Sequence, residues 1–284
     1  MTNNTRQIIA GLKKEWCFFW KKFHFLAFVL IFIACALFFP VLSGMVQAMN
    51  DSFGLILEDV PDLEEGAMSA VENFDKIAEM YTLELTYNGT LGMLQMAVIL
   101  LTVLLIGTAG AEQKKRSIIM PQTAGLTPAG HVLPKFMLYP PMVFAASVIA
   151  VLLSNVACQA VYNESYSMQT TLLAGTIVGV FAAFSVCFYL FMGISLVQPG
   201  LSILYVAGAN LVFGGLITSI FRIDRFTPWN LLDMATLLVT EQRMGINAII
   251  ATMVITLVLC VVFMLATLFA MIAKQVDNTA DEVY

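Results

Sequence analysis

Two histidines and five cysteines are the residues that could hold a metal or act as nucleophiles. Their placement argues against both. His24 and His131 sit in different segments, and neither an HExxH nor a paired CxxC pattern occurs, so no zinc-type ligand set is suggested. Cys17, Cys35, Cys158, Cys187 and Cys260 all fall in apolar or amphipathic stretches. None lies in the long polar segment, which leaves no disulfide framework and reads them as small interior hydrophobes. There is no GxSxG, and no Gly-Lys dipeptide from which a phosphate-binding loop could be built. The chain therefore offers no catalytic set, no metal site and no ATP site of its own. Its apolar stretches contain uncharged polar residues, Gln95, Thr102, Asn155, Gln159 and Asn210, but no Asp, Glu, Lys or Arg. Such amides and hydroxyls mostly hydrogen-bond neighbouring helices. Proton- and ion-coupled transporters generally need an intramembrane ionisable group, so a charge-relaying transporter is disfavoured. The protein needs no energy or draws it from a partner.

The elements that must position these residues follow from composition. Of 284 residues, 60% are hydrophobic and 12% are charged, where a soluble domain carries about 25% charged residues. Only a bilayer tolerates that deficit. Six stretches reach the roughly 20 apolar residues a span needs: 23–47, 91–111, 136–161, 169–197, 201–221 and 246–273. No charge occurs between Ser165 and Phe221, a run too long for one crossing. Gln198-Pro199-Gly200 is the natural place to fold back, since Pro lacks a backbone donor and Gly permits a tight turn. Basic residues set the orientation. Ten of fourteen, Arg6, Lys13, Lys14, Lys21, Lys22, Lys114, Lys115, Arg116, Lys135 and Lys274, fall on one side, taken as the cytoplasm. The expected fold is all-α, a single membrane domain over 1–284 with six transmembrane helices and both termini cytoplasmic. Ala34-Cys35-Ala36 resembles a signal-peptide cleavage site, but the apolar run continues to Val46, which argues for a retained span.

Three segments outside the spans have a readable character. Residues 1–22 are expected to form an interfacial segment, and residues 5–23 read as an amphipathic helix lying on the membrane, with Ile8, Leu12, Trp16, Phe19 and Phe23 at helical spacing among cations suited to lipid headgroups. Segment 50–90 is acidic and faces outward. In it Asp62 and Glu65 form a capping box before an apolar stripe running from Leu63 to Tyr81. Segment 222–245 is outward but apolar, and Pro228-Trp229 followed by leucines predicts a short helix dipping into the outer interface. Asn50, Asn88 and Asn163 begin N-x-Ser/Thr triplets on the outer side, and such triplets arise often by chance.

The loop from Glu112 to Lys135 decides between functions. It is basic, turn-rich and cytoplasmic, with Pro121, Gly125, Pro128, Gly130 and Pro134 punctuating a short apolar helix or turn. In this loop and in its overall order the chain resembles the membrane subunits of type-2 ABC exporters, the permease family related to ABCG transporters. An interfacial helix precedes span 1, and Glu112, Arg116-Ser117, Leu126-Thr127-Pro128 and Lys135 look like that family's "E…GT…L..P…K" pattern, with Arg-Ser in place of Gly-Thr. Segment 222–245 looks like its outer re-entrant helices. The resemblance implies a coupling helix in the loop that docks on a separate ATPase subunit, present in two copies and binding ATP and Mg. Glu112, Lys115, Arg116, Ile119, Leu126 and Pro128 would carry that contact. It implies a second permease copy paired as a homodimer, with a substrate pathway along spans 2 and 5 lined by Gln95, Thr102, Asn210 and Phe213. It also implies residence in a bacterial cytoplasmic membrane and no nucleic-acid partner. Apolar walls favour a hydrophobic or amphipathic cargo, a lipid or a peptide. Two other classes stand beside this one: an ATP-independent scaffold or assembly protein, and an integral membrane enzyme.

Overall fold

A computed structural model describes residues 3–21, 24–59, 76, 80–105, 126–196, 199–212, 227–240 and 246–281. Among the described residues the helices are α1 (Asn3–Lys21), α2 (His24–Asp59), α3 (Leu83–Leu104), α4 (Pro128–Tyr162), α5 (Met168–Leu196), α6 (Pro199–Leu211), α7 (Asn230–Thr240) and α8 (Ile246–Asp281). Among the described residues five helices are long and apolar enough to cross a membrane: His24–Ser52, Leu83–Leu104, Pro128–Tyr162, Met168–Ser195 and Ile246–Ala273. The chain is thus a helical, polytopic membrane protein. The sixth expected span, 201–221, is described only through α6, and residues 213–226 lie outside the described ones. The expected capping box at Asp62 and Glu65 also lies outside them.

Hydropathy misplaces two helix starts by about two turns, for the same reason at each. α3 begins at Leu83 rather than 91, because Thr82 caps it: its hydroxyl accepts from Leu85 N at 3.2 Å, and Glu84 sits in the first turn. An acid at that position complements the helix dipole. α4 begins at Pro128 rather than 136. The Thr127 hydroxyl accepts from Gly130 N at 3.2 Å, and Pro128 occupies the first turn, where its missing N–H costs nothing. Eight residues read as coupling loop, 128–135, are therefore the first turns of a 35-residue helix. Pro134, Pro140 and Pro141 are carried inside it, as membrane helices tolerate. At about 1.5 Å per residue α4 is much longer than the roughly 30 Å hydrocarbon core, long enough for its end turns to reach the headgroup layers.

α5 is the pillar of the bundle. In its most apolar window 83% of residues are buried, against 17% in that of α8. It packs on α3, α4, α6, α7 and α8. Its closest neighbour is α4, and Gly175 and Gly179, one turn apart, let the two backbones approach. A Cβ built on Gly179 would stand 2.8 Å from the Phe144 ring and 3.1 Å from the Phe144 carbonyl oxygen. Small residues at this spacing are the usual solution between helices in lipid, where packing rather than hydrophobicity drives association. α2 packs on α3 and α4, and α8 rests mainly on α5.

The expected fold-back after α5 is visible in two contacts. Asn210, near the end of α6, accepts a hydrogen bond from Trp229 Nε1 at 3.0 Å. Trp229 stacks edge-on against Phe184, with ring centroids 5.4 Å apart. Phe184 lies near the middle of α5, so α6 returns toward that level after the turn. Trp229 and the start of α7 reach the same level. Leu231, Met234, Ala235 and Val239 of α7 are buried. The segment read as dipping into the outer interface thus reaches mid-length of the central helix.

Candidate functional site

Four residues of α1 spaced by four, Gln7, Gly11, Glu15 and Phe19, make one helical face, and that face docks on the first turns of α4. Gln7 Oε1 accepts from Thr127 N at 3.0 Å and from Thr127 Oγ1 at 2.7 Å. Gly11 comes next: a Cβ there would stand 2.5 Å from Pro134 Cγ and 2.9 Å from the Gly130 carbonyl oxygen. Only glycine allows so close an approach. Then Lys135 Nζ lies 3.6 Å from Glu15 Oε1, and Tyr139 OH donates to Glu15 Oε2 at 2.8 Å. Phe19 completes the row against Tyr139, Phe25 and Phe28, with centroids 6.3, 6.0 and 5.6 Å away. The two helices run side by side in the same direction.

Glu15 is 4% exposed and Lys135 is 1% exposed. A buried carboxylate or ammonium is costly unless paired and further hydrogen-bonded. Here both carboxylate oxygens have partners, the second supplied by the tyrosine one turn beyond the lysine. The pair sits at the exit of the 112–135 loop, where Leu126 and Thr127 lead into α4.

This corrects the reading of the N-terminal helix. The predicted stripe of Ile8, Leu12, Trp16, Phe19 and Phe23 does not face one environment. Phe19 is buried within the protein, Ile8 and Leu12 are half-buried, and Trp16 is exposed; Phe23 lies outside the described residues. The exposed apolar row is instead Ile9, Trp16 and Trp20. The cause is the docked face: a helix bonded to α4 through one side can offer lipid only the other.

The predicted site residues fall into three groups. Glu112, Lys115, Arg116, Ile119 and Phe213 lie outside the described residues. Leu126 is half-buried beside Gly130, and Pro128 is the first residue of α4. Of the expected pathway residues, Gln95 is half-buried on α3. Thr102 is buried and donates to Ile99 O of its own helix at 2.7 Å. Asn210 is buried against Trp229. These three are not joined by any hydrogen bond to one another among the described residues. Asn155, read as a helix-bridging amide, clamps a loop instead: Tyr166 N donates to its Oδ1 and its Nδ2 donates to Tyr166 O, both at 3.2 Å. Cys35, Cys158 and Cys187 are buried and Cys260 is half-buried, as expected, but Cys17 is exposed. Among the described residues no three His, Cys, Asp or Glu side chains gather as a metal would require.

The residues that sequence reasoning missed had a faint signal. Glu15 is the one acid in α1, set among cations, and Lys135 and Tyr139 share a face one turn apart. At the opposite end Tyr162 closes α4 as a hub. Its hydroxyl meets Ser43 Oγ on α2, Thr86 Oγ1 on α3 at 2.7 Å and Tyr81 O at 2.9 Å. The shared feature of both ends is that α4 is tied to its neighbours at its first and last turns.

Compared with known proteins, the chain matches no family model, no curated protein and no solved structure.

Proposed function

We propose that this chain is the membrane-spanning permease subunit of an ATP-binding cassette exporter. In this reading it has six spans and cytoplasmic termini, pairs with a second copy, and is driven by two copies of a separate ATPase. The cargo is hydrophobic or amphipathic, a lipid or a peptide. The observation that supports it best is the clamp at the loop exit. A loop pushed by a soluble engine moves spans only if its exit is stiff. Thr127, Gly130, Pro134, Lys135 and Tyr139 are all fixed against α1, so a displacement at Leu126 would carry α1 and α4 together. The fold-back of α6 and the deep seat of α7 before the last span also fit this reading.

The decisive variant is Leu126→Asp, with Ile119→Asp as its companion. Either would place an unpaired carboxylate in a docked interface, a cost of about 3–5 kcal/mol. The expected outcome is a chain that still inserts but no longer holds an ATPase or stimulates hydrolysis. Normal association and coupling in both would overturn the assignment and favour an ATP-independent scaffold. Orientation is checked separately by single cysteines at Glu65 and Lys115, of which a membrane-impermeant thiol reagent should label only the first in intact cells. Pairing is checked by cysteines at Met96 on α3 or Leu204 on α6, both exposed apolar positions, which should crosslink between copies.

A further inference from the structure

Apart from its docked face, α1 has a second face, and its side chains say which lipid it fits. Ile9, Trp16 and Trp20 are exposed in a row, and Arg6 and Lys13, two turns apart, are exposed along its flank. Trp16 and Trp20 pack edge-on with centroids 6.0 Å apart, and Trp20 also stacks on Phe25 of α2 at 4.1 Å. The aromatic row is therefore held in place rather than free to turn. Glu15, the helix's one acid, would oppose an anion, but it is turned to the other side and buried against Lys135. The exposed face is left with cations and no carboxylate. Tryptophan favours the headgroup boundary, and lysine or arginine beside it favours anionic headgroups. α1 lies along the first turns of α4, a helix long enough for those turns to reach the headgroup layer.

We propose that α1 is a binding surface for anionic phospholipid, seated along Arg6, Lys13, Trp16 and Trp20, and that occupancy there stabilises the docking of α1 on the first turns of α4. The second half follows from linkage. A ligand that binds the docked helix better than the released one shifts the balance toward docking. Because Glu15 and Lys135 form the charged core of that docking, lipid charge reaches the loop exit through them. This proposal stands whether or not an ATPase drives the chain.

Two readouts test it on the full chain reconstituted in vesicles of phosphatidylglycerol and phosphatidylcholine. The first uses a Trp229→Phe variant, so that fluorescence reports only Trp16 and Trp20 of the three tryptophans. Two bilayers of the same overall composition carry brominated chains either on the glycerol lipid or on the choline lipid. Quenching should be roughly twofold stronger with bromine on the anionic lipid, and the difference should vanish in Arg6→Gln/Lys13→Gln. Equal quenching in the parent chain, or a difference that survives in that variant, overturns the binding surface. The second readout is the thermal midpoint, which should rise with phosphatidylglycerol content in the parent. In Glu15→Gln the quenching difference should persist while the rise in midpoint is lost. A parent midpoint indifferent to phosphatidylglycerol, or an undiminished rise in Glu15→Gln, overturns the transmission to α4.

Discussion

The two ends of α4 are fastened by opposite chemistry. At its start the fastener is ionic: a buried lysine and glutamate completed by a tyrosine, preceded by an amide on a threonine cap. At its end the fastener is neutral: the Tyr162 hydroxyl shared among Ser43, Thr86 and a backbone carbonyl. Both ends hold α4 against helices from elsewhere in the chain, yet they differ in how they fail. A hydroxyl that loses a partner can turn to another in the same network, and hydrogen bonds between membrane helices average only about 0.6 kcal/mol. A buried charge that loses its partner has no substitute. The ionic end is therefore brittle and specific, and it is the end next to the 112–135 loop. The neutral end tolerates partial loss, which suits a joint that only has to stay closed.

The sharpest way to break this contrast is Lys135→Met. It leaves the Glu15 carboxylate with the Tyr139 hydroxyl but without its countercharge, and unfolding in a bilayer mimetic should show a loss of about 3–5 kcal/mol. The double variant Glu15→Leu/Lys135→Met should recover most of that loss, because an apolar pair of similar volume often replaces a buried ion pair at little cost. No recovery would mean the pair contributes more than mutual neutralisation. Gly11→Leu comes next. Its Cβ would meet Pro134 Cγ at 2.5 Å and the Gly130 carbonyl at 2.9 Å, and overpacking of this kind costs about 1–3 kcal/mol. Protease accessibility of α1 should rise while the spans stay folded. Tyr162→Phe should cost less, about 1–1.5 kcal/mol, since Ser43 and Thr86 can satisfy each other or their own helices. A loss equal to that of Lys135→Met would erase the distinction between the two ends. Smallest of all is Val258→Ala on the exposed side of α8, where a change within about 0.5 kcal/mol is expected.

Much of the helical layout was legible because the bilayer writes it in long apolar runs. The break near Pro199-Gly200 and the existence of an N-terminal helix were readable from single residues, but which face of that helix is buried was not. Helix starts were less so. Thr82 and Thr127 set them through side-chain caps, while hydropathy registers only where the apolar run becomes dense. The α1 clamp was hidden for a different reason. Glu15 and Lys135 are 120 positions apart, and each alone reads as an ordinary interfacial charge; only tertiary docking makes them a pair. The depth of Trp229 was also obscured, because tryptophan's preference for interfaces does not anticipate Asn210 as a partner for its N–H. Five of the expected contact and pathway residues, Glu112, Lys115, Arg116, Ile119 and Phe213, lie outside the described residues, so the loop itself is reached only at its exit.

The central claim, that a separate ATPase drives this chain through that exit, is tested most directly by isolating the chain from its native membranes in mild detergent and assaying the preparation for Mg-dependent ATP hydrolysis. The sequence contains no Gly-Lys dipeptide, so the assay is paired with separation of any second subunit to see which component carries the hydrolysis. The account predicts a co-purifying ATPase subunit that is retained by the native chain and lost from Leu126→Asp. A preparation with no hydrolysing partner, or one whose partner stays bound to Leu126→Asp with undiminished hydrolysis, would contradict it.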